Sequence, residues 1–143
     1  MSSARQADED AIRELLDRQV SGWDAGNPEA YASVFTADAD YVTFLGSHHR
    51  GRDAIAASYV PLFKKLLNGS RLDTEVTQLR FLTTDVALIH TDAAVVKRAR
   101  RRSRRNRVNM CVAVRTDAGW QLAASQNTTH RRLAEKLMSM FAS

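Results

Sequence analysis

The feature that most constrains the fold of this chain is a change in the spacing of its apolar residues near Arg71. Before that point, apolar residues recur every three to four positions, which is the period of a helix with one buried face. After it they recur at every second position almost to the C-terminus, which is the period of a strand. Helices followed by consecutive antiparallel strands predict an α+β fold with the helices packed on one face of a sheet.

Three helices are predicted in the first half of the chain. The first spans residues 8–24, where acidic residues crowd the start and complement the positive end of the helix dipole. The second runs from Pro28 through Phe35, with the proline in its first turn. The third spans residues 53–67, where Pro61 is predicted to kink the helix or to end its first half. The residues predicted to form its inner face are Ile55, Tyr59, Leu62, Phe63 and Leu66.

Five strands and a short helical tail at 131–141 are predicted as well. The strands cover residues 40–45, 72–82, 86–98, 107–116 and 120–129. Within the second strand, Val76 is predicted to face away from Leu79 and Phe81 because it lies at an even position. We find no internal repeat and no linker, so residues 1–143 are predicted to form one domain.

Composition narrows the class of protein. Hydrophobic residues make up 44% and charged residues 26%, which is typical of a globular domain rather than a disordered or membrane chain. The N-terminal segment carries charges where a signal peptide needs an apolar stretch, which argues against secretion by that route. Cys111 is the single cysteine. These features predict a cytoplasmic protein in a reducing environment.

The net charge of +5 has a local origin in the basic run at residues 97–107. This run holds eight of the 21 Lys and Arg residues and no acidic residue, which leaves 13 basic against 16 acidic residues elsewhere. It contains no aromatic residue for base stacking and spans a predicted hairpin turn, which argues against nucleic-acid binding. An acidic partner, such as a carrier protein, is the alternative that the same charge suggests.

Several segments carry a resemblance to a known family. GWDAGNPEAYASVFTADADYV at 22–42, GRDAI at 51–55 and DAGW at 117–120 resemble segments of the nuclear transport factor 2-like superfamily, and within it the SnoaL-like proteins. More narrowly, the chain is similar to the SgcJ/EcaC group, some members of which are encoded among enediyne polyketide biosynthesis genes. The segments that carry this narrower similarity are DADYVTFLG at 38–46, HRGR at 49–52, GSRL at 69–72 and AASQNT at 123–128.

The resemblance implies a cone-shaped domain in which N-terminal helices pack on a strongly curved antiparallel or mixed sheet and enclose a pocket. It also implies a homodimer that forms through the sheet. The expected ligand is a hydrophobic polyene or polyketide-derived intermediate of enediyne antibiotic biosynthesis, which an enzyme of this type would cyclise or modify. The alternative is a non-catalytic homodimeric binding module that docks an acidic partner through its basic hairpin. No cofactor and no membrane association are predicted.

The candidate catalytic residues are His48 and His49, because imidazole can carry a proton near neutral pH. Adjacent residues on an extended loop point in different directions, so one of the two is predicted to face the pocket. A solvated loop pair is the alternative. A metal site is not predicted because a third ligand at suitable spacing is missing, although His90 can approach in three dimensions. Alignment with the ketosteroid isomerases of the superfamily places Thr43 and Gln19 at their acid/base positions, which argues against that reaction.

The candidate ligand-binding residues fall into an aromatic and a polar set, with ordinary core packing as the alternative for each aromatic. The aromatic set is Trp23, Tyr31, Phe35, Tyr41, Phe44, Tyr59 and Phe63, and the polar set is His90, Asn109, Gln126 and Asn127. Neutral amides can orient a carbonyl or stabilise an oxyanion. In the last strand Gln126 is predicted to share a face with Trp120, and Asn127 to point to the other side.

Overall fold

The computed structural model describes residues 3–97 and 104–142 as helices arranged around a six-stranded sheet. The helices are α1 (Ser3–Asp24), α2 (Pro28–Ala32), α3 (Arg52–Lys64) and α4 (Arg132–Ala142). The strands are β1 (Phe35–Val42), β2 (His48–Arg50), β3 (Arg71–Thr83), β4 (Val86–Val96), β5 (Arg107–Thr116) and β6 (Gly119–Thr129).

The strands lie in the order β2-β1-β6-β5-β4-β3. The pairing of β1 with β6 is parallel and all other neighbouring pairs are antiparallel. The sheet is curved and does not close, so β2 and β3 form its edges. The predicted α+β class, with helices on a curved mixed sheet, is therefore confirmed.

Helices α1, α2 and α3 pack on one face of the sheet, which we call the inner face; the opposite side is the outer face. Ile12, Leu15 and Ile55 of these helices are buried against Ile89 and Leu122 of the sheet. The first eight residues of β4 alternate between half-buried and buried positions, as a strand with one covered face requires. The helices that cover the sheet thus precede the change in apolar spacing near Arg71, and four of the six strands follow it, while β1 and β2 precede it.

Helices α1 and α2 meet at a close backbone approach. A Cβ built on Gly22 would lie 2.5 Å from the backbone nitrogen of Tyr31, so no larger residue fits there without displacing backbone. The side chain of Asn27 caps α2 by accepting a hydrogen bond from the backbone N–H of Ala30. Together these contacts hold the short second helix against the first.

A bulge in β3 makes the predicted face of Val76 wrong. The register with β4 shifts between Val76 and Gln78, so one additional residue is inserted into β3. Val76, Leu79 and Phe81 consequently all pack against the inner-face core. A prediction based on strict alternation does not detect such an insertion. One extra residue reverses the predicted face of every later residue in the strand.

The same kind of irregularity in β6 makes the predicted face of Gln126 wrong. Leu122 pairs with Ala113, but Ala124 rather than Ala123 pairs with Val112, so one residue of β6 is skipped. Beyond this point the odd positions, including Ser125 and Asn127, lie on the face of Trp120 and Leu122, and Gln126 lies on the outer face.

The second helix ends earlier than predicted, and the first strand begins earlier. Phe35 opens β1 rather than ending α2, because the backbone of Val34 accepts a hydrogen bond of 2.8 Å from the N–H of Leu122 in the parallel strand β6. Strand β1 then ends at Val42, so Phe44 lies outside the strand that was predicted to contain it. The pairing of β1 with β6 therefore ends α2 before Phe35, although local helix propensity favours a longer helix.

Other boundaries also differ from the prediction. Helix α1 begins at Ser3, so the acidic residues expected to complement its dipole lie beyond its first turn. Helix α3 continues past Pro61 to Lys64, and Leu66, predicted to face inward, is 66% exposed. The basic run at 97–107 lies partly outside the described residues, as does the end of the strand predicted at 86–98.

Helix α4 is strongly amphipathic, yet none of its residues is buried. Within the described ranges, no helix is long and apolar enough to cross a membrane.

Candidate functional site

Six of the seven aromatic residues predicted to bind ligand form one cluster between the helices and the inner face. Neighbouring ring centroids are 4.7–6.4 Å apart, and most ring pairs meet edge to face. We call these residues the aromatic cluster: Trp23, Tyr31, Phe35, Tyr41, Tyr59 and Phe63. All six are buried, so the rings fill the middle of the domain with one another.

The hydroxyls of three tyrosines in this cluster form a hydrogen-bonded chain. The Tyr31 and Tyr41 oxygens are 2.8 Å apart, and the Tyr41 and Tyr59 oxygens are 2.5 Å apart. Burial raises the pKa of each phenol, so all three carry their protons near neutral pH. Three hydroxyls hold three protons and these two bonds use two of them, which leaves one O–H able to donate to a further acceptor.

A group of polar side chains lies beside this tyrosine chain on the inner face. The amide nitrogen Nδ2 of Asn109 donates to Ser125 Oγ at 2.8 Å and to Asn127 Oδ1 at 3.0 Å. Asn127 in turn donates to the backbone oxygen of Val42 at 3.5 Å and interacts with the hydroxyl of Tyr41. The two asparagines predicted as ligand-binding residues are thus in direct contact with each other.

Arg107 completes this group at the start of β5. Its guanidinium carbon lies 3.6 Å from the centroid of the Phe44 ring, a cation–π stack. Partial burial lowers the pKa of this guanidinium, and the nearby phenols of Tyr59 and Tyr41 act in the opposite direction. Among residues 3–97 and 104–142, no carboxylate lies within 4.0 Å of it. We call Arg107, Asn109, Asn127 and Phe44 the polar rim.

The two candidate catalytic histidines occupy opposite faces of the sheet edge. His49 pairs with Tyr41 across β1 and β2, so both side chains lie on the same face of the sheet. His48 pairs with Val42, and its Nε2 lies within hydrogen-bonding distance, 2.7 Å, of Asp40 Oδ1 at an exposed position. The structure therefore places His49, and not His48, on the side of the tyrosine chain.

Two of the predicted polar ligand-binding residues lie away from this group. His90 pairs with Met110, and Met110 pairs with Gln126, so these three side chains form a row across the outer face. His90 therefore lies on the face opposite the helices, away from the space between helices and sheet in which the resemblance predicts a pocket. Gln126 lies on the outer face rather than the predicted face because of the bulge at Ala123 in β6.

A groove between α2 and α3 has a volume of about 730 Å³. Asp53, Ala57 and Val60 of α3 help to line it, together with Phe63 of the aromatic cluster. The groove therefore adjoins the aromatic cluster at Phe63, but Arg107 and Asn127 are not among its lining residues.

Cys111 lies buried on the inner face, where burial raises the pKa of its thiol to about 12. A thiol of this kind stays protonated near neutral pH and is a poor nucleophile. Across the described ranges, no group of three His, Cys, Asp or Glu side chains is placed to hold a metal ion.

Sequence reasoning missed Arg107, because it counted this residue only as part of the basic run. The alternation of side chains along the strand could have identified it. Arg107 lies two residues before Asn109, and the series continues with Cys111 and Ala113 on the same face. Strand alternation therefore puts Arg107 on the same face as Asn109, a predicted ligand-binding residue.

Comparison with known families gives one match. The family model of the SnoaL-like domain matches residues 4–126, which include the first three helices and most of the sheet. A comparison with curated proteins gave no match.

Solved structures with the same fold include proteins with and without a named activity. A domain of unknown function with a cystatin-like fold from Nostoc punctiforme is 29% identical, with a TM-score of 0.85 over 96% of this chain and 85% of that one. A putative scytalone dehydratase from Novosphingobium aromaticivorans is 16% identical, with a TM-score of 0.72 over 90% and 88% of the two chains. A hexachlorocyclohexane dehydrochlorinase, LinA-type3, from Novosphingobium barchaimii LL02 is 16% identical, with a TM-score of 0.73 over 88% of each chain.

Proposed function

Because this chain belongs to the SnoaL-like domain family, we propose that it binds a small, largely apolar organic molecule at the polar rim, beside the aromatic cluster. The observation that carries the proposal is the grouping of Arg107, Asn109 and Asn127 next to buried rings. A few convergent polar groups beside an apolar wall are what a small-molecule site requires.

The chemistry available at the polar rim is proton transfer and stabilisation of an oxygen atom. The tyrosine chain has one O–H to donate, and Asn127 lies against it. His49 lies on the same face as Tyr41 and is our candidate proton carrier. These groups suit a cyclisation, isomerisation or elimination at a polarised oxygen. The activities named for the putative scytalone dehydratase and for LinA-type3 belong to proteins that share the fold.

For the ligand we propose a polyene or polyketide-derived intermediate of enediyne biosynthesis, in the cytoplasm. Support comes from the segments similar to the SgcJ/EcaC group, among them DADYVTFLG and AASQNT. Both segments contribute to the candidate site, since the first contains Tyr41 and Phe44 and the second contains Asn127.

A turnover assay tests the catalytic form of the proposal. Purified protein is supplied with the polyene of such a pathway, and product formation is compared for wild type, His49→Ala and His48→Ala. We expect a large loss of turnover for His49→Ala and little change for His48→Ala, because only His49 shares the face of Tyr41. Equal turnover in all three proteins removes the histidines from the mechanism. Stoichiometric binding without turnover favours the binding module.

The alternative proposal is a non-catalytic homodimeric binding module. Its support is the outer face, where Val108, Val112 and Val114 flank Met110, which is 44% exposed. Exposed apolar rows of this kind mark surfaces that bind a partner. We expect sedimentation equilibrium to give a dimer for wild type and a monomer for Met110→Glu. A wild-type monomer overturns this form of the proposal.

An acidic carrier protein is the proposed partner of the basic run. Arg104 is exposed, whereas Arg105 pairs with Asp73 and Glu75, so the two cations differ in their availability. Substituting the arginines at positions 100–104 with Gln, with Arg105 retained, is expected to abolish carrier binding and to leave the thermal midpoint unchanged. Unchanged binding rejects this partner.

A further inference from the structure

Arg107 and the nearby Arg105 contact different kinds of groups. Arg105 donates to Asp73 Oδ1 at 3.0 Å. The guanidinium carbon of Arg107 instead lies 3.6 Å from the centre of the Phe44 ring, and among the described residues Arg107 lacks a carboxylate partner. Stacking engages the face of a guanidinium but leaves the N–H groups along its edge available.

Arg107 lies on the inner face, which is the side of the sheet that carries the site. It pairs with Ala93 of β4 and with Thr129 of β6, and its charge interacts with the phenols of Tyr59 and Tyr41. The groups around it are neutral hydroxyls, amides and rings. A half-buried cation with only neutral neighbours attracts an anion more strongly than an exposed one does, because water screens it less.

The β4 side chains that face Arg107 and Asn109 are small and uncharged. Ala93 faces Arg107 from β4, and Thr91 faces Asn109 one step along the same pair of strands. Neither Ala93 nor Thr91 carries a charge that could pair with the guanidinium. A planar carboxylate matches the edge of a guanidinium with two parallel N–H···O bonds.

We propose that Arg107 forms a carboxylate-binding subsite of the polar rim, so that the preferred ligands are apolar molecules that end in a carboxylate. The carboxylate lies against the edge of Arg107, and the apolar part lies along Phe44 toward the aromatic cluster. Asn109 and Asn127 are neutral donors on the same side of the sheet and add no repulsive charge. This subsite rests on the proposed function, because it specifies which small molecules that site accepts.

The test compares two probes that differ only in the terminal group, 4-phenylbutyrate and 4-phenylbutan-1-ol. Dissociation constants are measured by NMR titration for wild type, Arg107→Met and Arg107→Lys. Wild type is expected to bind the acid about tenfold tighter than the alcohol, as a charge-assisted pair provides. Arg107→Met is expected to lose that preference and to keep the affinity for the alcohol, and Arg107→Lys is expected to retain part of the preference.

Arg104→Met is the matched control, since it removes the same charge from an exposed position in the same run. It is expected to keep the full preference for the acid. A preference that persists in Arg107→Met, or that disappears in Arg104→Met, overturns the subsite. Equal binding of both probes to wild type overturns the subsite and keeps the proposed function. If wild type binds neither probe, both the subsite and the proposed function are overturned.

Discussion

Strand β5 carries an arginine at each end, and the two guanidiniums have opposite surroundings. Arg115 donates to both carboxylate oxygens of Asp8, at 2.9 and 2.7 Å, and to Asp85 Oδ1 at 2.9 Å. It also lies over the ring of Trp120. Arg107 stacks on a ring as well, but within the described residues no carboxylate accepts from it.

The difference follows from which elements meet at each end of the strand. At the Arg115 end, α1 contributes Asp8 and the β3–β4 turn contributes Asp85, so one side chain ties three elements together. At the Arg107 end, the segment after β1 contributes Phe44, and the neighbouring strands contribute neutral residues. One end of the inner face is therefore closed by ion pairs, and the other end keeps a cation available for a ligand.

The largest effect is expected from the packing of the aromatic cluster. Phe35 is fully buried in the aromatic cluster, so Phe35→Ala is expected to lower the free energy of unfolding by about 3–5 kcal/mol. Phe44 at the polar rim is 44% exposed, and Phe44→Ala is expected to cost less than about 1 kcal/mol. Urea unfolding measures both values. Similar losses for the two variants contradict the distinction between a packed centre and an open rim.

A smaller effect is expected from the tyrosine chain. Tyr41→Phe removes the middle hydroxyl and leaves those of Tyr31 and Tyr59 without their shared partner, at a cost of about 1–3 kcal/mol. Tyr31→Phe breaks only one of the two bonds, so a smaller loss is expected. If Tyr31→Phe is the more destabilising of the two in urea unfolding, Tyr41 is not the centre of the chain.

The comparison of the two arginines is tested directly by Arg115→Met and Arg107→Met. Arg115→Met is expected to lower the urea midpoint, because Asp8 and Asp85 lose their common partner. Arg107→Met is expected to leave the midpoint nearly unchanged, since its guanidinium joins no ion pair among the described residues. Equal midpoints for the two variants contradict the assignment of Arg115 as the structural clamp.

The smallest effect is expected from pH at the Arg115 end. Hydrogen bonds from Arg115 and Trp120 lower the pKa of Asp8 in the folded state. The stability that this carboxylate contributes is therefore complete above its unfolded pKa of about 4 and is lost as the pH falls through the folded value. Thermal midpoints of wild type and Asp8→Asn are expected to converge as the pH falls below about 4. A constant difference contradicts the role of this carboxylate.

The parts of the fold that depend on local pattern were predictable from the sequence. Strand β5 was predicted with its observed bounds, because its residues alternate strictly between two faces. The resemblance to SnoaL-like proteins is confirmed by the family match over residues 4–126. The narrower similarity to the SgcJ/EcaC group stays a prediction.

The failures share one physical cause, which is contact between residues far apart in the chain. The β6 bulge placed Asn127 on the inner face and Gln126 on the outer face, and strict alternation cannot locate a bulge. Phe35 was predicted in a helix, but parallel pairing with β6 made it the first residue of a strand. His48 and His49 were equivalent in sequence, and only the register of β2 with β1 separated them.

The sequence by itself determined the layers of this protein, because the spacing of apolar residues dictates which faces must be buried wherever helices and strands form. The tertiary structure alone decided what each polar side chain faces. Arg107 and Arg115 illustrate this, since both are arginines on one strand, and α1 and the β3–β4 turn bring carboxylates only to Arg115 among the described residues. Charge interactions depend on distance in space, and separation along the chain does not reveal that distance.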